Sequence, residues 1–398
     1  RHTCNGEVVE ITTSCAKEIF LRCDPASICP PGSLPGQQAQ GFYACLPRIL
    51  ERAGADMSHV VVERVFFRDL AADYETFSSI RREAYRRGGV SDDQLPVASY
   101  VEQPPCTAGQ AFELQVYAVV PESTHLANVS TAASLGNGPS AKIVELNGFR
   151  HFYAQGITGN GTVLQPHAPS REHCDGMFQT AAELLGRHGA SPRDILRTWC
   201  YLSDIERDYQ ALNQSRNQFF QREGVRRLPA STGIGARLPG SDVLCGLDLY
   251  ALLNPDGASV EVLHCDSLNE ASVFGSSFSR GIKLCLPEKT VVLISGTASV
   301  DETGATAHAG DARRQIERML LNVEELLTPL GAGFGDLVQV TSYLTDASDL
   351  DLFRAVVKRW GLTDMPNSIV AATPCRPDLC CQIEAVGVWT NGKGGDAG

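Results

Sequence analysis

The chain has 398 residues and a formal net charge of -12, with acidic side chains outnumbering Lys and Arg. That length fits two or three domains of roughly 100–200 residues, and the acidic balance, without any basic run or aromatic-interleaved basic stripe, speaks against nucleic acid as a partner. No apolar run reaches the roughly 18 residues of a membrane span, and the opening RHTCNGEVVE lacks a hydrophobic signal core, so the expectation is a cytoplasmic protein with no membrane partner.

Along the chain three segments match one another: LERAGADMSHVVVERVFFRDLAAD from Leu50, LLGRHGASPRDILRTWCYLSDIERD from Leu184, and LLTPLGAGFGDLVQVTSYLTDASDL from Leu326. Each runs from a Gly-Ala step (Gly54-Ala55, Gly189-Ala190, Gly331-Ala332) through an apolar strand to an aspartate, Asp69, Asp204 or Asp346, at the same separation. A repeat of this kind means one supersecondary unit used several times.

Before each Gly-Ala step lies a helical pattern. It is clearest in DARRQIERMLLNVEELLTPLGA, where Ile316, Met319, Leu320, Val323 and Leu327 share one face, Asp311 is a candidate N-cap and Gly331 a candidate C-cap. After each aspartate come a second helical stretch, a proline (Pro96, Pro229, Pro366), and a strand pair ending in ELQVYAVV, GLDLYALL or QIEAVGVW. Each unit is therefore predicted as strands, helix, strand, helix, strands: an α+β sandwich with helices on one face of a mixed sheet.

Composition sets the boundaries. The units are expected at 1–122, 142–255 and 256–391, with a polar, turn-rich linker at 123–141 and a frayed tail at 392–398. The cysteines never pair as CxxC or CxxH, so neither a zinc site nor a thioredoxin motif is visible and most should be small core hydrophobes. Phosphate loops, nucleophile elbows and zincin motifs are absent, and no metal or cofactor is expected. GAGFG at Gly331–Gly335 follows a helix and precedes a strand, the wrong order for a phosphate cradle.

VVLISGTASV with DETG behind it, GAGFGDLVQVTSYLTD and the closing IEAVGVW resemble the RidA (YjgF) fold, and the repeat carries that resemblance three times over nearly all the chain. Single RidA-like proteins form trimers with sites between neighbouring subunits. The resemblance thus implies a pseudo-trimeric ring built from one chain, either monomeric or a low-order homo-oligomer. A RidA-type imine hydrolase grips its substrate carboxylate with an arginine shortly after the proline of each unit. Here those stretches read LPVASYV, LPASTGI and MPNSIVA, with Ala98, Ser231 and Ser368 in that place, so enamine or imine deamination loses its key contact.

The second and third units resemble the chorismatase branch of the fold, which hydrolyses the enolpyruvyl ether of chorismate. PCRPDLCCQIEAVGV aligns with that branch's cysteine, Arg-x-Asp-Leu and Glu-Ile-Glu, and LRTWCYLSDI and NQSRNQFF are similar to segments of its middle unit. At the position of the family's catalytic glutamate, seven residues after the cysteine, stands Gln382, whose amide cannot deliver a proton. The first unit keeps a Cys106 and Glu113 pair at that spacing, and the middle unit has Gly246 there.

The candidates for catalysis are therefore Gln382, Glu384, Cys375 and Glu113, with Cys375 read as a pocket wall and Glu384 on the same strand face as Gln382. Those for substrate binding are Arg376 of the last unit, facing Arg216, Trp199 and Arg197 of the middle unit. FRHFYAQGITGNG adds Arg150, Tyr153 and Gly156, with His151 read as an interior histidine and Gly296 the counterpart of Gly156 in the third unit. The expected function is a chorismatase-like enzyme acting on a small carboxylated metabolite in secondary metabolism, by hydrolysis, dehydration or rearrangement. The alternatives are a catalytically silent binding or scaffold protein and a deaminase-like hydrolase.

Overall fold

The computed structural model describes residues 7–25, 28–122, 127–132, 140–159, 170–240, 242–265, 268–269 and 275–391. The first unit comprises β1 (Glu7–Thr12), β2 (Ala16–Cys23), α1 (Pro35–Arg52), β3 (Val60–Phe67), α2 (Leu70–Arg87), β4 (Val97–Glu102) and β5 (Phe112–Pro121), with strand order β1-β2-β5-β3-β4. The second comprises β6 (Ala127–Ala132), β7 (Ser140–Leu146), β8 (Phe149–Thr158), α3 (Ser170–Gly186), β9 (Ile195–Leu202), α4 (Ile205–Arg222), β10 (Ala230–Gly235) and β11 (Cys245–Leu252), ordered β10-β9-β11-β8-β7-β6. The third comprises β12 (Ser259–Val262), β13 (Gly281–Cys285), β14 (Lys289–Ala298), α5 (Ala312–Leu327), β15 (Leu337–Leu344), α6 (Leu350–Arg359), β16 (Asn367–Ala371) and β17 (Cys381–Thr390), ordered β12-β13-β14-β17-β15-β16.

Within each unit the strand pair flanking the second helix (β3/β4, β9/β10, β15/β16) is parallel and the other pairings are antiparallel, which makes the predicted mixed sheet. The three matching aspartates all cap: Asp69 accepts from Ala72 N–H at the start of α2, Asp204 from Arg207 N–H at the start of α4, and Asp346 from Ser348 N–H in the turn leading to α6. Asp311 accepts from Arg314 N–H at the start of α5, and Gly331 sits at φ 68°, where a Cβ is disfavoured. Residues 127–132, inside the stretch expected to be a linker, form β6 on the edge of the second sheet. Small and polar side chains suffice there because only its two terminal alanines are buried.

Each unit packs its helices on one sheet face, giving three separate cores. The opposite faces pack against one another around a common axis in a fourth core that draws Phe20, Val61 and Tyr117 from the first unit, Leu196, Tyr250 and Leu252 from the second, and Ile282, Leu293 and Val388 from the third. This is why β11 is buried at every position, Asp248 included, instead of exposing alternate residues. The axis is closed at one end by Phe66 and Val101, Tyr201 and Ile234, and Tyr343 and Val370, one pair per unit. Backbone bonds Glu102 N–H to Arg237 O, Gly235 N–H to Thr373 O, and Ala371 N–H to Pro104 O link the units in a ring.

Candidate functional site

The ring creates three equivalent junctions, and the last strands put Glu113, Gly246 and Gln382 at them, opposite Phe66, Tyr201 and Tyr343 on the neighbouring strands. Two of the three are filled. At Glu113 the Arg22 guanidinium donates through Nε at 2.5 Å and Nη2 at 3.3 Å, while Gln110 at 2.5 Å and Ser368 of the third unit at 2.8 Å complete the carboxylate's bonds. Burial still pushes that carboxyl up against Arg22's pull. At Gly246 the Leu238 side chain occupies the space that a Cβ would take.

The third junction, between the second and third units, is open. A pocket of about 790 Å³ lies between α4 and the strands β14 and β17, reached by Gly296, Cys375, Arg376 and Gln382. Gly296 sits at a bulge where the β14/β17 register shifts between Ile294 and Thr297. A Cβ there would collide with the Gln382 amide and lie 3.1 Å from Thr232, so glycine is what lets Gln382 lie across the pocket floor. The Gln382 side chain is buried and its Nε2 has no partner.

One helix face supplies the facing wall, with Glu206, Tyr209, Gln210, Asn213, Gln214 and Asn217 at helical spacing on α4. Most of its amide oxygens are already engaged. Asn213 Oδ1 accepts from Arg216 Nη2 at 2.6 Å, Gln214 Oε1 from Arg171 Nη1 at 3.0 Å, and Asn217 Oδ1 from Ser277 N–H at 3.1 Å. The amide NH₂ groups of Asn213 and Gln214, with that of Gln382, leave a wall of donors, which favours a ligand rich in acceptors.

Charge points the same way. Arg280 and Arg376 line the pocket, and the one carboxylate among its described lining residues, Glu206, is exposed on the first turn of α4. Arg376 Nη1 donates to Gly304 O at 2.6 Å. Behind the wall, Arg216 is 1% exposed, donates to Ser231 Oγ at 3.2 Å and lies 5.3 Å over the Phe278 ring, with no carboxylate in ion-pair range among the described residues. A guanidinium thus reaches Ser231 from the helix α4. Burial pushes the Cys375 thiol up, and it raises Tyr209, its hydrogen-bond partner, to about 12. Cys375 is therefore a thiol in the pocket wall rather than a thiolate nucleophile.

The other expected site residues lie elsewhere. Glu384 is buried on the axis, where Arg64 Nη1 at 2.9 Å, Arg197 Nη2 at 2.8 Å and Trp199 Nε1 at 2.9 Å all donate to it. Burial alone would raise its pKa, but Arg64 and Arg197 outweigh burial and hold it below the usual carboxylate range, unsuited to a general acid. Both guanidiniums also lie over the Trp199 ring, at 5.0 and 4.7 Å, so Arg197 and Trp199 belong to this staple and not to the pocket. Arg150 is a half-exposed partner of Glu145 at 3.4 Å, and Tyr153 faces the axis. The Gly156 amide, at φ 70°, donates to Asp248 at 2.9 Å rather than facing a ligand. Cys106 packs in the third unit's core, away from any open pocket described here.

Sequence reasoning missed Tyr209, Asn213 and Arg280. The signal was present for two of them, because Tyr209, Asn213 and Arg216 recur four and three residues apart on one helix face. Of the described cysteines Cys45 is disulfide-bonded and the others are free thiols, and no described helix is long and apolar enough to cross a membrane.

Comparison with known proteins agrees with this architecture. Residues 275–388 match the family described as Endoribonuclease L-PSP. A RutC family protein of Pyrococcus abyssi is 25% identical over 110 residues, which is 27% of this chain and 84% of that protein. The crystal structure of a chorismatase superposes with a TM-score of 0.63 at 16% identity, covering 94% of this chain and 100% of the other. With its three mixed sheets, its helices on the outer faces and its junctions between units, the chain is built of three tandem units of RidA-like fold and shares its overall fold with chorismatase.

Proposed function

We propose that this protein is a chorismatase-like enzyme that acts on a small carboxylated metabolite, chorismate or a related enolpyruvyl or cyclic carboxylate, in the pocket between the second and third units. The observation that carries the proposal is Arg216: a buried guanidinium without a carboxylate partner among the described residues, beside a pocket that also holds Arg280 and Arg376. A buried charge left unpaired is costly, and an anionic ligand relieves that cost. The donor wall of Asn213, Gln214 and Gln382 serves the remaining acceptor atoms of such a ligand.

Gln382 shapes the chemistry. Its free Nε2–H donates to an oxygen that gains negative charge during reaction, which lowers the barrier without moving a proton. Enol-ether hydrolysis needs a proton delivered to the methylene carbon, and no buried carboxyl lines this pocket among the described residues. Rearrangement of a bound carboxylate, which moves no proton, therefore suits the site better than hydrolysis.

The test is incubation of the purified protein with chorismate and related carboxylates, with products followed by chromatography and binding by calorimetry. Saturable turnover supports the proposal. Saturable binding of carboxylates without turnover supports the second reading, a binding protein that keeps the pocket and has lost its acid. That reading is favoured by Gln382 alone. If no carboxylate either binds or reacts, both fail.

A further inference from the structure

A second cavity, of about 90 Å³, lies inside the ring among Phe20, Tyr117, Tyr153, Tyr250, Leu293 and Val386. It follows from a break in the pseudo-symmetry. The first unit places a cross-strand aromatic pair there, Phe20 opposite Tyr117, and the second unit places Tyr153 opposite Tyr250. The third unit has Leu293 opposite Val386 at the matching place. The rings of the first two pairs are in contact, with centroids 5.0 Å apart within the first pair, 4.9 Å within the second and 5.5 Å between Tyr117 and Tyr153. One aromatic pair is missing, and the space left equals about three waters at ~30 Å³ each, close to the size of one six-membered ring.

The ionised side chains around this cavity already have partners, with Arg64 Nε the one polar atom of theirs left over. Glu18 is paired with Lys289 and accepts from Tyr117 Oη at 2.6 Å, Arg64 is paired with Glu384, and Asp248 accepts from Tyr201 Oη at 3.0 Å and from Gly156 N–H. Two neutral groups lining it are not satisfied. His151, 2% exposed, has its Nδ1 2.7 Å from Tyr250 Oη and its Nε2 without a partner, and Gln155, 6% exposed, has a free Oε1. Burial, with Lys289 nearby, holds the imidazole well below its ordinary pKa and so neutral. With Tyr250 donating to Nδ1, Nε2 carries a proton to offer. The two residues are four apart on β8, roughly 13 Å at ~3.3 Å per residue, with Tyr153 between them.

We propose that this axial cavity is a binding site for a small neutral phenol-type molecule, whose ring completes the missing aromatic pair and whose hydroxyl bonds His151 Nε2 or Gln155 Oε1. An ion is disfavoured because Glu18 is already paired with Lys289 and Arg64 with Glu384. A ring with hydroxyls at both ends fits the two free groups best. The site is independent of the pocket between the second and third units.

Phenol and hydroquinone are the probes, titrated into the full chain by calorimetry and soaked into crystals. The expected result is saturable binding of one molecule per chain, with hydroquinone tighter than phenol. His151→Phe removes one hydrogen bond and lowers hydroquinone affinity about tenfold. Val386→Phe supplies the missing ring from the protein and abolishes binding, with a melting temperature no lower than that of the native chain. The proposal is overturned if neither probe saturates, if Val386→Phe binds them as well as the native chain does, or if probe-soaked native crystals show only ordered waters between His151 and Gln155. The native crystals decide the matter even where a variant fails to fold.

Discussion

The Glu384 carboxylate of the third unit and the Arg64 guanidinium of the first meet at 2.9 Å on the ring axis, 320 residues apart in sequence. Arg197 of the second unit closes the same carboxylate from the other side. One side chain thus joins all three units. Glu384→Ala leaves two buried guanidiniums unpaired and should cost about 3–5 kcal/mol in urea unfolding. Because the folded carboxyl sits below its ordinary range, its stabilisation is complete above the unfolded value of about 4.3 and is lost as pH falls through the folded value. Acid titration of the melting temperature, compared between the native chain and Glu384→Gln, checks the sign.

Arg216 is expected to behave in the opposite way. Removing a buried guanidinium that has no carboxylate relieves a desolvation cost, so Arg216→Leu should be at least as stable as the native chain while its affinity for carboxylate ligands falls about 10–100-fold. Calorimetry and thermal melting on one preparation test both halves. A variant that loses stability and keeps affinity would show that Arg216 is only a structural residue.

Gln382→Glu places a carboxyl group on the pocket floor in a buried setting that favours its protonated form. Release of pyruvate from chorismate should rise about 100-fold or more over the native chain, with the rate falling as pH rises through the new carboxyl's pKa. Gln382→Leu should keep ligand affinity within about tenfold and lower any native turnover, which separates binding from chemistry.

Lys142, on β7, is 4% exposed and donates to Gln94 O at 2.7 Å, with no carboxylate in range among the described residues. Burial, with Arg81 nearby, lowers its pKa to about 8. The folded state therefore holds fewer protons here than the unfolded chain, whose lysine titrates near 10.4, and this site's contribution to stability rises with pH between those values. Lys142→Met should stabilise the protein at pH 7 by at most about 3 kcal/mol, and the gain should vanish above roughly pH 10.5. Denaturant midpoints at pH 7 and pH 10.5 measure it.

The fold was legible because the repeat repeats its physics. The helix faces, the capping aspartates and the strand pairs each depend on neighbours within a few residues, and those patterns stand in the sequence. The open junction depends on side chains that arrive from elsewhere: Arg22 from β2 fills one site and Leu238, beyond β10, fills another. No local spacing reveals that. Gln382 and Glu384 do share a strand face, as the two-residue period requires, yet the pocket opens only at Gln382. Two residues further along, the same face meets Arg64 and Arg197, which belong to other units and make Glu384 a staple. The β6 strand escaped notice because an edge strand of small polar residues has the composition of a loop.

The blocked junctions at Glu113 and Gly246 also fix a stoichiometry. A ring of identical subunits repeats any pocket at every junction, whereas one junction is open among the described residues of this chain, so on the proposed function titration with a carboxylate should reach saturation at one equivalent. Joining the units in one polypeptide has freed each to follow its own course: the first has become a brace, and the second and third share the work of a single mouth.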